Sequence, residues 1–149
     1  MNQAIHHARQ KQRPAVTALD EGFIALLDGF RPTGGMVRAE DLIQRIGNGS
    51  DACMGRLGKM IAAQRIVNVR WNQTFWFPVF QFDIPAITPI ATLEPVISEL
   101  IPAFDDWQLA EWFCRPSGWL EDQTPAAAIQ HRPAAVCAAA RADRFAILG

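Results

Sequence analysis

Only one stretch of this sequence reads as extended chain. "RIVNVRW" (65–71) is rich in β-branched residues, "NQ" (72–73) can turn, and "TFWFPVFQF" (74–82) carries aromatics at 75, 76, 77, 80 and 82. Two such runs joined by two residues predict a β-hairpin. Pro78 has no ladder donor, which confines that part of the second strand to an edge or a bulge. On both sides of the hairpin the apolar spacing is helical, and there is no internal repeat. The expected fold is therefore mainly α: a small helical bundle with one β-hairpin, made of a helix-turn-helix-like N-terminal unit and a helical C-terminal unit.

Ahead of the hairpin, Thr17 can cap a helix, and Asp20 three residues on completes a capping box. Leu19, Phe23, Leu26, Leu27 and Phe30 then form one apolar stripe over 18–30. "RPTGG" (31–35) ends that helix. "RAEDLIQRI" (38–46) predicts a second, short helix with Leu42, Ile43 and Ile46 inward. "GNGS" (47–50) is a turn, and Ser50 can cap a third helix over 51–64. Met54, Leu57 and Ile61 lie on one face of that helix, with Arg56, Lys59, Ala52 and Ala63 opposite. Gly55 and Gly58 each weaken it by about 1 kcal/mol relative to alanine.

Beyond the hairpin, Pro85, Pro89, Pro95 and Pro102 mark boundaries rather than helix interiors. The pattern predicts a short helix over about 95–103, a helix over 106–114 capped by Asp105, and a loop at "RPSG" (115–118). A helix over 125–130 opens with Thr124–Pro125. An alanine-rich last helix runs from Pro133 to about 145. The expected divisions are a disordered basic tail (1–16), a helix-turn-helix-like unit with the hairpin (17–82) and a helical unit (83–149), with a hinge near 83–89.

The 149 residues, half of them apolar, suit one domain or two very small ones sharing a core. No apolar run approaches the roughly 18–20 residues needed to cross a bilayer. No apolar stretch follows the basic start, as a signal peptide would require. A cytoplasmic protein with no membrane partner is expected. Cys53, Cys114 and Cys137 are odd in number and far apart, which reads as small buried hydrophobes rather than a disulfide framework. The net charge of −1 hides an asymmetry. Residues 1–72 carry ten bases against six acids, and residues 73–149 carry four against nine. A basic front and an acidic back point to two surfaces with different partners.

The order helix, turn, helix, hairpin across 38–82 is the layout of a helix-turn-helix with a wing. The second helix would lie in the major groove of operator DNA. Arg56 and Lys59 would reach phosphates or guanine edges, with Arg65 and Arg70 flanking them. The plainer alternative is a helix–hairpin scaffold whose basic residues are merely solvated.

"WQLAEWFCRPSGWLEDQTP" (107–125) holds three of the five tryptophans. Trp107 and Phe113 read as core. Trp112, Trp119 and Leu120 are the candidates for partner contact, or for the core beneath it. Tryptophan is enriched at binding hot spots because it brings a large, rigid surface and an N–H. The longer stretch "WQLAEWFCRPSGWLEDQTPAAAI" resembles the C-terminal toxin-binding domain of the Xre/MbcA/ParS antitoxins. The matching features are Ala110 or Glu111 before Trp112 and Phe113, then Pro116–Ser117, Leu120 and Pro125. Ser117 stands where that family usually has asparagine, and Glu121 where glycine often follows the leucine. The resemblance covers roughly 65–145. It implies a two-part antitoxin whose N-terminal part binds operator DNA and whose C-terminal part covers a toxin, often a RES-type enzyme that consumes NAD. It also implies a homodimer or larger assembly.

No catalytic constellation is visible. His6, His7 and His131 have no cysteine at metal spacing. There is no glycine-rich phosphate loop and no G-x-S-x-G. Asp105–Asp106 fit helix capping. The expected function is non-catalytic, without metal or cofactor: an antitoxin-like protein that neutralises a partner toxin and binds operator DNA. The alternatives are a stand-alone DNA-binding regulator and a protein–protein adaptor.

Overall fold

The computed structural model describes residues 17–45, 50–84 and 86–149. Residues 1–16, Ile46, 47–49 and Pro85, and with them the expected basic tail, the expected turn and one expected helix boundary, lie outside the described residues. Among those described, seven α-helices surround a three-stranded sheet and a two-stranded ribbon.

Helix α1 (Ala18–Phe30) begins with the expected capping box. The Asp20 N–H donates to Thr17 Oγ1 at 3.1 Å, and the Thr17 N–H donates back to Asp20 Oδ2 at 3.2 Å. Phe23, Leu26 and Phe30 are buried, while Leu27 is only partly covered. Leu19 does not join the stripe. It sits two residues after the cap, in the first turn, and is exposed. Gly34 and Gly35, at φ of 105° and 80°, turn the chain out of α1. Only glycine takes those angles without strain.

That turn delivers strand β1 (Met36–Arg38), which the sequence reading missed. The hairpin is β2 (Val69–Trp71) and β3 (Thr74–Pro78), joined by Asn72 and Gln73 with φ of 48° and 61°. Two consecutive left-handed residues match the twist of a tight hairpin. The sheet order is β1-β3-β2, antiparallel, with Val37 opposite Phe77 and Val69 opposite Trp76. Pro78 occupies the last position of the central strand, beyond the end of β2. The second strand was expected to continue to 82. Instead a single 3-10 turn at Val79–Gln81 breaks it, and β4 (Phe82–Asp83) pairs with β5 (Thr88–Pro89).

Helix α2 (Ala39–Gln44) buries Leu42 and packs on α3 (Ser50–Ala62). Ser50 is the first residue of α3. On α3 the inward residues are Cys53 and Leu57, with Met60 and Ile61 partly covered. Met54 was expected inward and is exposed. The buried line runs i, i+4, i+7/i+8 from Cys53, and Met54 falls one residue off it.

The remaining helices are α4 (Leu93–Leu100), α5 (Asp106–Cys114), α6 (Pro125–Ala128) and α7 (Pro133–Leu148). Helix α4 starts two residues ahead of the expected 95. Pro95 is its third residue, where no intrahelical N–H bond is lost. Asp105 and Gln108 form a second capping box at α5. Thr124 caps α6 through the Ala127 N–H.

Two cores result. The larger joins Phe23, Leu26 and Phe30 of α1 with Val67, Val69 and Phe80, and with buried residues of α4 to α7. The smaller holds Val37, Leu42, Leu57, Ile66, Phe77, Phe82 and Ile87.

Candidate binding surfaces

The outward face of α3 carries Arg56 and Lys59, both exposed. A side chain at Gly55 or Gly58 would meet nothing within 4 Å. This face is bare, and its two glycines are not required by internal packing. The other two expected DNA contacts are differently placed. Arg65 lies near α4, with its guanidinium 3.5 Å from the Glu94 carboxylate. Arg70 lies over the Phe75 ring on the hairpin, 5.7 Å from its centroid. Arg56 itself donates from Nη2 to the Cys53 sulfur at 3.4 Å, so three of the four basic side chains already have partners inside the chain and Lys59 is the exception.

The second surface is built around α5. Its inner side faces α1 so closely that a side chain at Gly22 would come within 3.3 Å of Trp107. Phe113, fully buried, locks that side into the larger core. The Trp112 ring packs edge-on against Phe113, with centroids 5.0 Å apart. After α5 the chain makes a tight loop. The Ser117 N–H donates to the Gln123 carbonyl at 3.0 Å, and the Asp122 N–H donates to the Ser117 carbonyl at 2.9 Å. Glu121 and Asp122 both take left-handed angles. The loop points Leu120 inward at 0% exposure and Trp119 outward at 64%. Leu120 therefore cannot touch a partner in this fold; it anchors the loop from beneath.

Trp119 is exposed but not loose. Its Nε1–H donates to Asp143 Oδ1 at 3.0 Å, and the Trp112 Nε1–H donates to Oδ2 of the same carboxylate at 2.8 Å. Asp143 lies on α7 and was not singled out from the sequence. It stands 31 and 24 residues from the two rings. Its one local signal is an acidic residue near the end of an alanine-rich helix. The two tryptophans, Asp143, Glu111, Arg115 and Ser117 help line a groove of about 520 Å³ between α5, the loop and α7. Exposed Ile147 of α7 also lines it, and the last turns of that helix leave Phe145 and Leu148 exposed as well.

The charges around the groove are unevenly satisfied. Arg115 pairs with Glu111 at 3.3 Å, and Arg132 with Glu121 at 3.8 Å. Arg141 and Arg144 both pair with Glu99, at 3.2 and 3.0 Å. Among the described residues, none of these arginines pairs with Asp143, whose hydrogen bonds come from the two neutral indoles. The Ser117 hydroxyl oxygen is buried at the groove and has no hydrogen-bond partner among the described residues.

Burial pushes the Cys114 thiol up to about 11, so it stays protonated at neutral pH. All three cysteines are unpaired, and no described group of three His, Cys, Asp or Glu residues could hold a metal ion. No described helix is long and apolar enough to cross a membrane. Comparison with protein-family models, with curated proteins and with solved structures returns no match for this chain.

Proposed function

We propose that this chain is a non-catalytic binding protein of the antitoxin kind, working in the cytoplasm, most simply as a homodimer. Its C-terminal groove takes a partner protein, and its N-terminal helix pair and hairpin take DNA. One observation carries the first part. Trp119 is exposed yet tied through its Nε1–H to Asp143, in a groove that Ile147 of α7 also lines. A large exposed aromatic ring restrained by a hydrogen bond gives up less side-chain freedom on binding than an unrestrained one. Scattered surface hydrophobes need no explanation, but exposed Trp119 and Ile147 lining one groove fit a protein contact. The resemblance of 107–129 to an antitoxin's toxin-binding segment names the kind of partner.

The test is co-purification from the native host with Trp119→Ala and Leu148→Ala as controls. A small protein recovered near stoichiometry with the unaltered chain and lost with either variant supports the reading. A chain that elutes alone in every case overturns it.

The second reading, a DNA-binding regulator without a toxin, is favoured by the element order α1-β1-α2-α3-β2-β3 and the bare basic face of α3. Binding through phosphates weakens steeply as salt rises. Arg56→Glu with Lys59→Glu is expected to abolish binding to a fluorescent duplex in anisotropy measurements while leaving the circular dichroism spectrum unchanged. Undiminished binding by the double variant would reject α3 as the DNA helix. A flat salt response would reject phosphate contact altogether.

A further inference from the structure

We infer that the groove between α5 and α7 is a receptor for an arginine side chain of the partner protein, with Asp143 taking the guanidinium and Trp119 lying against it. This rests on the reading of the groove as a partner surface and supplies the chemistry of what enters it.

Asp143 has acceptor capacity to spare. A carboxylate offers about four acceptor positions, two on each oxygen. The Trp112 and Trp119 indoles use one on each oxygen, at 2.8 and 3.0 Å. One position per oxygen remains, so the carboxylate can still accept a charge-assisted N–H bond from an incoming guanidinium. The donors already present are neutral, and among the described residues no cation is paired directly with Asp143. The four arginines of 73–149 are committed elsewhere: Arg115 to Glu111, Arg132 to Glu121, and both Arg141 and Arg144 to Glu99. Arg115 lines the same groove but pairs with Glu111, which leaves Asp143 open to an incoming cation.

The surroundings favour guanidinium over ammonium. Arginine stacks on aromatic surface and is more weakly hydrated than lysine, so it gives up less on entering a lined groove. Trp119 offers that surface next to the carboxylate, and indole is the best of the aromatic partners for a cation. The groove volume of about 520 Å³ falls in the range that holds a side chain with neighbouring backbone. The acidic balance of residues 73–149, nine acids to four bases, adds a longer-range attraction.

The test uses the full chain, labelled with 15N, and follows the indole N–H signals of Trp112 and Trp119, assigned with Trp112→Phe and Trp119→Phe. The probes are N-acetyl-arginine amide and N-acetyl-citrulline amide at matched chloride. Citrulline keeps the shape and loses the charge. Arginine amide is expected to shift both signals saturably and to bind at least about tenfold more tightly than the citrulline probe. Asp143→Asn is expected to erase that preference. If that variant does not fold, Trp119→Leu, at an exposed position, is expected to weaken the arginine probe several-fold.

Equal response to the two probes, or no saturable shift with arginine, overturns the inference. So does an arginine preference that survives both substitutions. The wider reading fails separately. A partner lost with Trp119→Ala but held undiminished by Asp143→Asn would sink the arginine receptor and keep the partner surface. Arginine binding that needs Asp143, in a chain that captures no protein, would uphold the guanidinium site and sink the partner reading.

Discussion

Gln81 is a fully buried amide that serves as a strand neighbour for the chain before the hairpin. The Val67 N–H donates to its Oε1 at 2.7 Å, and its Nε2 donates to the carbonyls of Val67 at 2.7 Å and Pro78 at 3.1 Å. Gln81→Leu would keep the volume and orphan three buried backbone groups. Each such group costs about 1–3 kcal/mol, so the variant is expected to lose at least about 3 kcal/mol of stability in urea unfolding. A loss under about 1 kcal/mol would mean the backbone finds other partners. Asp20 works at the opposite end of the burial scale. The Thr17 backbone N–H, then the Thr17 hydroxyl contact, hold its carboxyl below the usual 3.8; burial opposes them, and the Trp71 indole adds a lesser downward pull. A depressed pKa in the folded state gives stability that is present above the unfolded value and lost as pH falls through the folded one. Asp20→Asn is therefore expected to flatten the acid limb of a stability–pH curve below about 3.8 and to leave its slope at neutral pH unchanged. An unchanged acid limb would show that the capping box carries no titrating stability.

Among the elements, the contact of α1 with α5 is set by glycines. A side chain at Gly29 would lie 2.8 Å from the Cys114 sulfur and 3.0 Å from its Cβ. Alanine there gains up to about 1 kcal/mol of helix propensity, but overpacking costs typically 1–3 kcal/mol. Gly29→Ala is expected to destabilise on balance, and Cys114→Ala to restore part of the loss, since it removes the sulfur and leaves the Cβ. A double-mutant cycle by thermal melting measures that coupling, and strict additivity would deny the contact. The helices were the most legible elements. Capping residues at Thr17, Asp105 and Thr124 act within one turn, so their signals survive in the bare sequence. Strand β1 was not legible. Three residues after "GG" have no periodicity of their own, and they become a strand only because β3 presents an open edge.

At the scale of the molecule, the larger core runs from Phe23 in α1 to Ala140 in α7. Helix α1 packs on α5, and its stripe shares one core with residues that come 60 or more positions later, including Leu93 and Phe113. The full chain is therefore expected to unfold in one transition, with tryptophan fluorescence and far-ultraviolet circular dichroism coinciding. A fragment ending at 82 is expected to show no cooperative melt. Two resolved transitions, or a fragment that melts cooperatively, would separate 17–82 as an independent folding unit.

Periodicity, caps and prolines were enough to specify most of the helices and the hairpin, because those signals are local and repeat along the chain. They also picked out Trp112 and Trp119, since tryptophan is rare and the pair sits around a loop. Which ring faces outward was decided by packing: Leu120 fills the core, and that turns its neighbour Trp119 to solvent. Asp143 entered the site only in three dimensions. One acidic residue on the last helix carries no mark of its purpose until α7 folds across α4 and the loop after α5 and sets its carboxylate against two indoles from a different part of the chain.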